Sequence, residues 1–270
     1  MRGRPGILGP LAAAAVLLAS LQAATASGQA LNGDPLTDRG YLRPDEIDAS
    51  ALLGPPPAPG SPRGIADWAR FIETRSLEGS ERWRVASLDV DIRSGAFARF
   101  SCAAGVTIDQ QRTPATWKVL ARLEYDVRTV GRPAKDRYGR LRPITGNTYS
   151  ICEPRAAWLT LNASYPSGHS MIGWSYALTL AQLLPDRSEV LIENGKAYGE
   201  SRIICGVHYQ SDVEAGRLLA SAMVARLQSN REFQSDMRRA AAELKRARGR
   251  GRAPQNCQVY DNPLRSAGPS

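Results

Sequence analysis

Ser201-Arg202-Ile203-Ile204-Cys205-Gly206-Val207-His208-Tyr209-Gln210-Ser211-Asp212 gathers an arginine, a histidine and an aspartate into one short run. The chain has 270 residues and only 2 histidines, and the other, His169, lies in Pro166-Ser167-Gly168-His169. Both histidines thus sit in small, polar, glycine-containing motifs rather than on an apolar helix face. If a helix begins near Gln210, the turn before it brings the Asp212 carboxylate beside the His208 imidazole. One ring nitrogen is then held and the other is left free as nucleophile or base. Arg202 is permanently charged and forked, which suits a pair of phosphate oxygens. Taken alone, the run reads equally well as a surface His and Asp at helical spacing beside an unrelated Arg.

Outward from Gln210 the chain reads as helices. Val213, Gly216, Ala220, Met223 and Leu227 share one face over residues 210–227, with small residues that permit close packing around a site. Ser167 opens a helix running to about Leu184, with Met171, Trp174, Leu178 and Ala181 on one face. Its first-turn N–H groups and dipole favour an anion, and Gly168 lets one approach closely. Pro185-Asp186 ends that helix and begins another through Ile192, Ala197 and Tyr198 toward Arg202. Residues 230–248 form a last amphipathic helix with Phe233, Met237 and Leu244. Earlier, Ile65, Trp68, Ala69, Phe71 and Ile72 recur at near-helical intervals over residues 63–76, and residues 81–100 form a helical region broken around Ser94-Gly95. Thr113-Pro114 starts a helix that buries Trp117, Leu120 and Val127. Gly131 and Pro133 then predict a break that lets Lys135 and Arg142 project toward one site. Residues 146–165 read as a polar loop bordering it. No alternating run argues for a sheet, so the fold class expected is all-α, a single-domain helical bundle.

The two ends differ from this body. Residues 1–26 combine Arg2 and Arg4, the apolar run Leu11 to Leu21 and Ala24-Thr25-Ala26, the organisation of a cleaved signal peptide. Gly9, Pro10 and the alanines leave too short an apolar core for a stable membrane anchor, and no later stretch is long enough to span. Residues 27–62, with Pro55-Pro56-Pro57 and Pro59, read as a proline-rich extended N-terminal arm. Residues 63–248 are the helical domain and residues 249–270 a basic, flexible C-terminal tail. The formal net charge of +9 comes largely from Arg238, Arg239, Lys245, Arg246, Arg248, Arg250 and Arg252. That concentration marks a solvated end, and no nucleic-acid partner is expected. A non-catalytic polyanion-binding protein built around this terminus is one alternative reading. The 4 cysteines, Cys102, Cys152, Cys205 and Cys257, suit an oxidising compartment and match no metal spacing, and counting alone does not choose among their pairings.

Lys135, Arg142-Pro143, Pro166-Ser167-Gly168-His169 and the opening stretch together spell K-x6-R-P, P-S-G-H and S-R-x5-H-x3-D, in that order. These patterns resemble, without a substitution, the signature of the type 2 phosphatidic acid phosphatase and vanadium haloperoxidase superfamily. Within it the chain resembles the class A bacterial non-specific acid phosphatases. The likeness runs from Leu52-Leu53-Gly54-Pro55-Pro56-Pro57 through Tyr165-Pro166-Ser167-Gly168-His169 and Ile172-Gly173-Trp174 to Gln210-Ser211-Asp212-Val213, and as weaker helical similarity to about Leu244.

The resemblance implies the same all-α fold and a periplasmic or secreted phosphomonoesterase acting on small-molecule substrates through a covalent phosphohistidine. It makes His208 the nucleophile, Asp212 its orienting partner and His169 the general acid. Lys135, Arg142, Ser167, Gly168, His169 and Arg202 hold the phosphoryl oxygens. Phosphate or vanadate would inhibit, no cofactor or metal is called for, and homo-oligomers occur among such relatives. Arg132, Arg137 and Arg140 fall outside the motif positions and read as ordinary surface cations. Cys152 and Cys205 flank the proposed phosphate site, so they are paired by hypothesis, leaving Cys102 with Cys257. A vanadium-dependent haloperoxidase is the other alternative, because vanadate in such a pocket imitates the phosphorane.

Overall fold

The computed structural model describes residue 1, residues 36–249 and residues 254–261. The rest of the expected signal peptide, the arm up to residue 35, and tail residues 250–253 and 262–270 lie outside the described residues. In chain order the helices are α1 (Ala49–Leu53), α2 (Pro62–Arg75), α3 (Glu81–Leu88), α4 (Phe97–Ala104), α5 (Pro114–Tyr138), α6 (Ala157–Leu161), α7 (Gly168–Leu183), α8 (Ser188–Ile204), α9 (Gln210–Leu227), α10 (Arg231–Gly249) and α11 (Gln258–Asp261). A π-helical turn, Ile92–Ala96, leads into α4, and a 3-10 turn, Pro185–Arg187, into α8. No strand occurs among the described residues, and the fold is all-α.

α7 is the central helix. It packs against α8, α9 and α5, and accordingly it is apolar on nearly every side, with Met171, Ile172, Tyr176, Ala177 and Leu180 all buried. Phe100 of α4, Leu120 and Leu123 of α5, Leu219 and Met223 of α9, and Phe233 and Leu244 of α10 complete one continuous core. Where α9 crosses the start of α7, a side chain at Gly216 would put its Cβ 2.7 Å from the Ser167 carbonyl oxygen. Ser167 caps α7 there, accepting from the Ser170 N–H, and its own N–H donates to the Asp212 carbonyl.

The expected break at Gly131 and Pro133 does not occur, for α5 runs through both to Tyr138. Pro133 removes one hydrogen bond of the helical ladder. The helix is nevertheless fixed on both sides of it by buried Val127, Val130, Ala134 and Lys135. Gly131 also seats Met171 of α7, whose Sδ would lie 3.1 Å from a Cβ at that position. Tertiary packing here outweighs the local signal, and Lys135 reaches the site from a helix rather than from a loop.

The described part of the arm is not wholly extended. The Asp48 side chain caps α1, and Tyr138 Oη donates to the Ser50 carbonyl, docking that short helix on α5. Upstream, the N–H groups of Tyr41 and Leu42 donate to the Asp126 carboxylate of α5. In the tail, a disulfide joins Cys257 to Cys102, and the Tyr260 ring lies 4.7 Å from the guanidinium carbon of Arg99. A second disulfide joins Cys152 to Cys205.

Alanine in place of a glycine inside an exposed helix usually gains about 1 kcal/mol. At Gly216 the added methyl meets backbone, so Gly216→Ala is expected to lose about 1–3 kcal/mol instead. Urea unfolding measures this, and a midpoint equal to or above that of the unsubstituted chain would show that α7 and α9 are not in close contact there.

Candidate active site

Four helix ends converge on one small volume. The last turns of α5 and α8 contribute Lys135 and Arg202, and the first turns of α7 and α9 contribute His169 and Asp212. Cations suit the negative ends of α5 and α8, while the positive N-terminus of α7 faces whatever anion they attract. Arg142 and His208 come from the segments just after α5 and just before α9.

His208 is positioned by the turn that leaves α8. The N–H groups of Val207 and His208 both donate to the Arg202 carbonyl, at 3.1 and 3.3 Å. Gly206 makes that turn with φ +82°, and a Cβ there would lie 2.6 Å from Arg75 Nη1. Arg75 in turn donates to the carbonyls of Ile203 and Ile204, satisfying the end of α8.

At Asp212, one carboxylate oxygen accepts from the Tyr209 N–H at 2.8 Å and from Ser164 Oγ at 2.6 Å, and lies 3.4 Å from His208 Nδ1. The other accepts from Arg140 Nη1 at 2.6 Å. Across the ring, His208 Nε2 is 2.9 Å from Arg142 Nη1. A guanidinium only donates, so Nε2 carries the lone pair and the proton of the neutral ring is on Nδ1, toward Asp212 and Ser164. His169 has the complementary arrangement. Its Nε2 lies 2.9 Å from the Val90 carbonyl, which only accepts, so Nε2–H is fixed and Nδ1 is the exchangeable nitrogen.

Every ionisable member is buried: Lys135 is 5% exposed, Arg142 4%, His169 4%, His208 2%, Arg202 0% and Asp212 0%. Lys135 Nζ donates to the Ala163 carbonyl at 2.6 Å, and Arg142 donates to Asn162 and Val207 carbonyls at 3.1 and 2.9 Å. Arg202 Nη2 donates to Glu153, whereas its Nε and Nη1 have no partner. Buried donors left open cost free energy unless a ligand takes them.

Desolvation, reinforced by Arg142, lowers Lys135 to about 7. Desolvation, with Arg202 close by, lowers Arg142 to about 10. Both histidines are held well below 6.5, first by burial and then by the nearby cations, with Arg202 the largest for His169 and Arg142 for His208. The site therefore offers two neutral imidazoles and a set of cations around an N-terminal helix turn. Such an arrangement is suited to a tetrahedral oxyanion held beside a ring nitrogen that keeps its lone pair.

All residues singled out from the motifs, Lys135, Arg142, Ser167, Gly168, His169, Arg202, His208 and Asp212, fall in this volume. Arg140 corrects an expectation, since it is no surface cation. It is half-buried, bridging Asp212 to Asp67 at 2.6 and 2.8 Å and also donating to Ser211 Oγ. Arg132 pairs with Asp136 on the exposed side of α5 as expected of a surface cation. Glu153, Asp67 and the Val90 carbonyl were not singled out from the sequence, and Ser164 was read only as a polar member of the loop over residues 146–165. Only Ser164 carried a usable signal, a polar residue directly before the Tyr165-Pro166-Ser167-Gly168-His169 run.

Residues 126–233 match the PAP2 superfamily. An acid phosphatase of Zymomonas mobilis subsp. mobilis is 39% identical over 219 residues, covering 78% of this chain and 82% of the relative. A non-specific acid phosphatase of Providencia stuartii is 37% identical over 242 residues, covering 88% and 97% respectively. A non-specific acid phosphatase of Salmonella typhimurium is 36% identical over 212 residues, covering 76% and 83%.

The depressed histidines set a pH dependence of stability. Below 6.5 the unfolded chain takes up protons that folded His169 and His208 refuse. Stability present above 6.5 is therefore lost as pH falls toward their folded values, by up to about 1.4 kcal/mol per pH unit for each. An oxyanion in the site should raise both values and flatten that slope. Unfolding followed between pH 7 and 5 with and without orthovanadate tests this; identical slopes would mean that the anion binds elsewhere.

Proposed function

Because the chain belongs to the PAP2 superfamily, among the bacterial non-specific acid phosphatases, and is an acid phosphatase, we propose that it hydrolyses phosphomonoesters through a phosphohistidine on His208, without a metal ion. The observation that carries this is the His208 ring, with its lone pair on Nε2 facing Arg142 and its proton facing Asp212. A nucleophile so oriented needs no deprotonation before it attacks phosphorus.

In the first step the His208 Nε2–P bond forms and the P–O bond to the ester oxygen breaks. The departing oxygen takes a proton from Nδ1 of protonated His169, while Nε2–H stays on the Val90 carbonyl. The positive charge that develops on the His208 ring is balanced by Asp212 through Nδ1–H. In the second step His169 removes a proton from water, water oxygen attacks phosphorus, and phosphate leaves with His208 restored. Lys135, Arg142, Arg202, Ser167 and the opening N–H groups of α7 hold the equatorial oxygens, whose charge peaks in the loose transition state. The open Nε and Nη1 of Arg202 support that part of the reading.

Protonated His169 is the state that burial and Arg202 oppose. The bound phosphoryl dianion offsets the cations, and low pH supplies the proton, which supports an acidic working range. For metal independence the support is compositional: among the described residues no group of three or more His, Cys, Asp or Glu side chains could hold a metal ion. Export to the periplasm or medium is supported by the two disulfides and by the signal-like sequence of residues 1–26. No described helix is long and apolar enough to cross a membrane.

Activity on p-nitrophenyl phosphate should survive EDTA and be inhibited competitively by phosphate and vanadate. Loss in EDTA that a divalent ion restores would contradict the mechanism. Arg202→Ala should lower kcat/KM by roughly 100- to 1,000-fold, and lysine there should restore only part.

The two histidines separate by leaving group. His208→Ala should be inactive on every ester, because no second nucleophile is placed at phosphorus. His169→Ala should lose ~100- to 10,000-fold on glycerol phosphate, whose alkoxide needs a proton. On p-nitrophenyl phosphate it should keep a burst of phosphorylation and accumulate an acid-labile, alkali-stable phosphoenzyme. Equal losses on both esters, or labelling of the His208→Ala protein, would reverse the assignment.

A further inference from the structure

We propose that Glu153, anchored by the Cys152–Cys205 disulfide, is a positioning residue that aims the Arg202 guanidinium at the transferring phosphoryl group. The proposal rests on Arg202 being a phosphoryl ligand. An arginine side chain is long, and in this site its neighbour Arg142 repels it. Left to itself, a guanidinium among like charges turns away. Here Nη2 is tied to Glu153 Oε1, which leaves Nε and Nη1 as the open donors. The side chains of both partners are almost wholly buried, at 1% and 3% exposure, so water does not compete for the link.

Glu153 lies in irregular chain ahead of α6, where nothing helical fixes it. What fixes it is the residue before it. Cys152 is bonded covalently to Cys205, and its N–H donates to the Cys205 carbonyl at 3.2 Å. Cys205 follows directly on α8, the helix whose last turn carries Arg202. The carboxylate is therefore referenced to the same helix end as the guanidinium it holds, and the two move together. A single charge on Glu153 also leaves the cationic set with one counter-ion besides Asp212, so the pocket holds an oxyanion without trapping product.

Orthovanadate affinity, measured by calorimetry and as a competitive inhibition constant, reads the effect directly on folded protein. Glu153→Ala should weaken vanadate about tenfold by returning rotamer freedom to Arg202, and should lower kcat/KM at least as far. Glu153→Gln keeps an acceptor for Nη2 and removes a negative charge, so it should bind vanadate as tightly as the unsubstituted chain or more tightly. If Glu153→Ala does not fold, Glu153→Asp, which withdraws the carboxylate by one methylene, carries the expectation of weakened binding.

Cys152→Ser/Cys205→Ser should weaken vanadate in the same sense. Adding Glu153→Ala to it should cost little more, because the residues act as one unit. A folded Glu153→Ala protein with unchanged vanadate affinity, beside an Arg202→Ala protein that has lost it, would overturn the positioning role alone. Unchanged affinity in Arg202→Ala would overturn the phosphoryl-ligand reading and the proposal with it. Losses that multiply between Glu153→Ala and the cysteine pair would overturn the anchoring.

Discussion

Between Arg142 Nη1 and His208 Nε2, 2.9 Å apart, a permanent cation meets an imidazole, and the contact is attractive only while that nitrogen keeps its lone pair. The rest of the site is arranged around this condition. The ring proton must go to Nδ1, so an acceptor must stand there, and Asp212 does so from the third position of α9. Asp212 is itself over-determined, by the Tyr209 N–H, by Ser164 and by Arg140. Arg140 is steadied by Asp67 of α2, which also accepts from the Ser211 N–H at the start of α9. The orientation of one imidazole is thus transmitted outward to α9 and α2, and Gly216 and Gly206 are small where that geometry needs backbone to approach backbone or to turn.

A buried cluster of like charges opposes folding, and the molecule contains the cost in three ways. Carbonyls of Ala163, Asn162 and Val207 accept from Lys135 and Arg142, replacing water. Glu153 and Asp212 supply negative charge at opposite sides. Lys135 is lowered to about 7, so near neutral pH it carries only part of its charge. What these devices leave uncompensated, the open donors of Arg202, is what an oxyanion would satisfy, and binding of such an anion stabilises the folded chain by mass action.

The helical class and most boundaries were legible because burial leaves a period in the sequence. The face Val213, Gly216, Ala220, Met223, Leu227 gave α9 within its observed limits, and Thr113-Pro114 gave the start of α5. Pro133 misled because a local signal says nothing about the tertiary contacts, such as Gly131 against Met171, that carry a helix across it. At the site, the motif residues were picked out by the family resemblance, because the His208–Asp212 run read alone did not decide between a site and a surface pair. Their supports were not, for different reasons. Val90 acts through a carbonyl that every residue possesses, Asp67 lies far away in sequence, and Glu153 is specified only by a neighbour's disulfide. Arg140 sat among Arg132 and Arg137, and its ion pairs to Asp67 and Asp212, distant in sequence, tell it from Arg132, which pairs one turn away with Asp136.

The two histidines share one electrostatic field and need opposite protonation states, so the field alone cannot divide their labour. Burial first, and then Arg142 and Arg202, favour the neutral ring in both. What differs is the partner of the proton-bearing nitrogen. His208 has a carboxylate at Nδ1, so the charge it would gain in the proposed bond to phosphorus would be met at once by Asp212. His169 has a neutral carbonyl at Nε2, which fixes the ring without stabilising a lasting cation. A ring that must carry positive charge throughout an intermediate belongs beside the carboxylate. A ring that must receive a proton and give it up again within each turnover belongs beside the carbonyl, where an anion's arrival charges it and the alcohol's departure discharges it. The proposed assignment of nucleophile and acid follows from this difference in partners, independently of the motif in which each histidine lies.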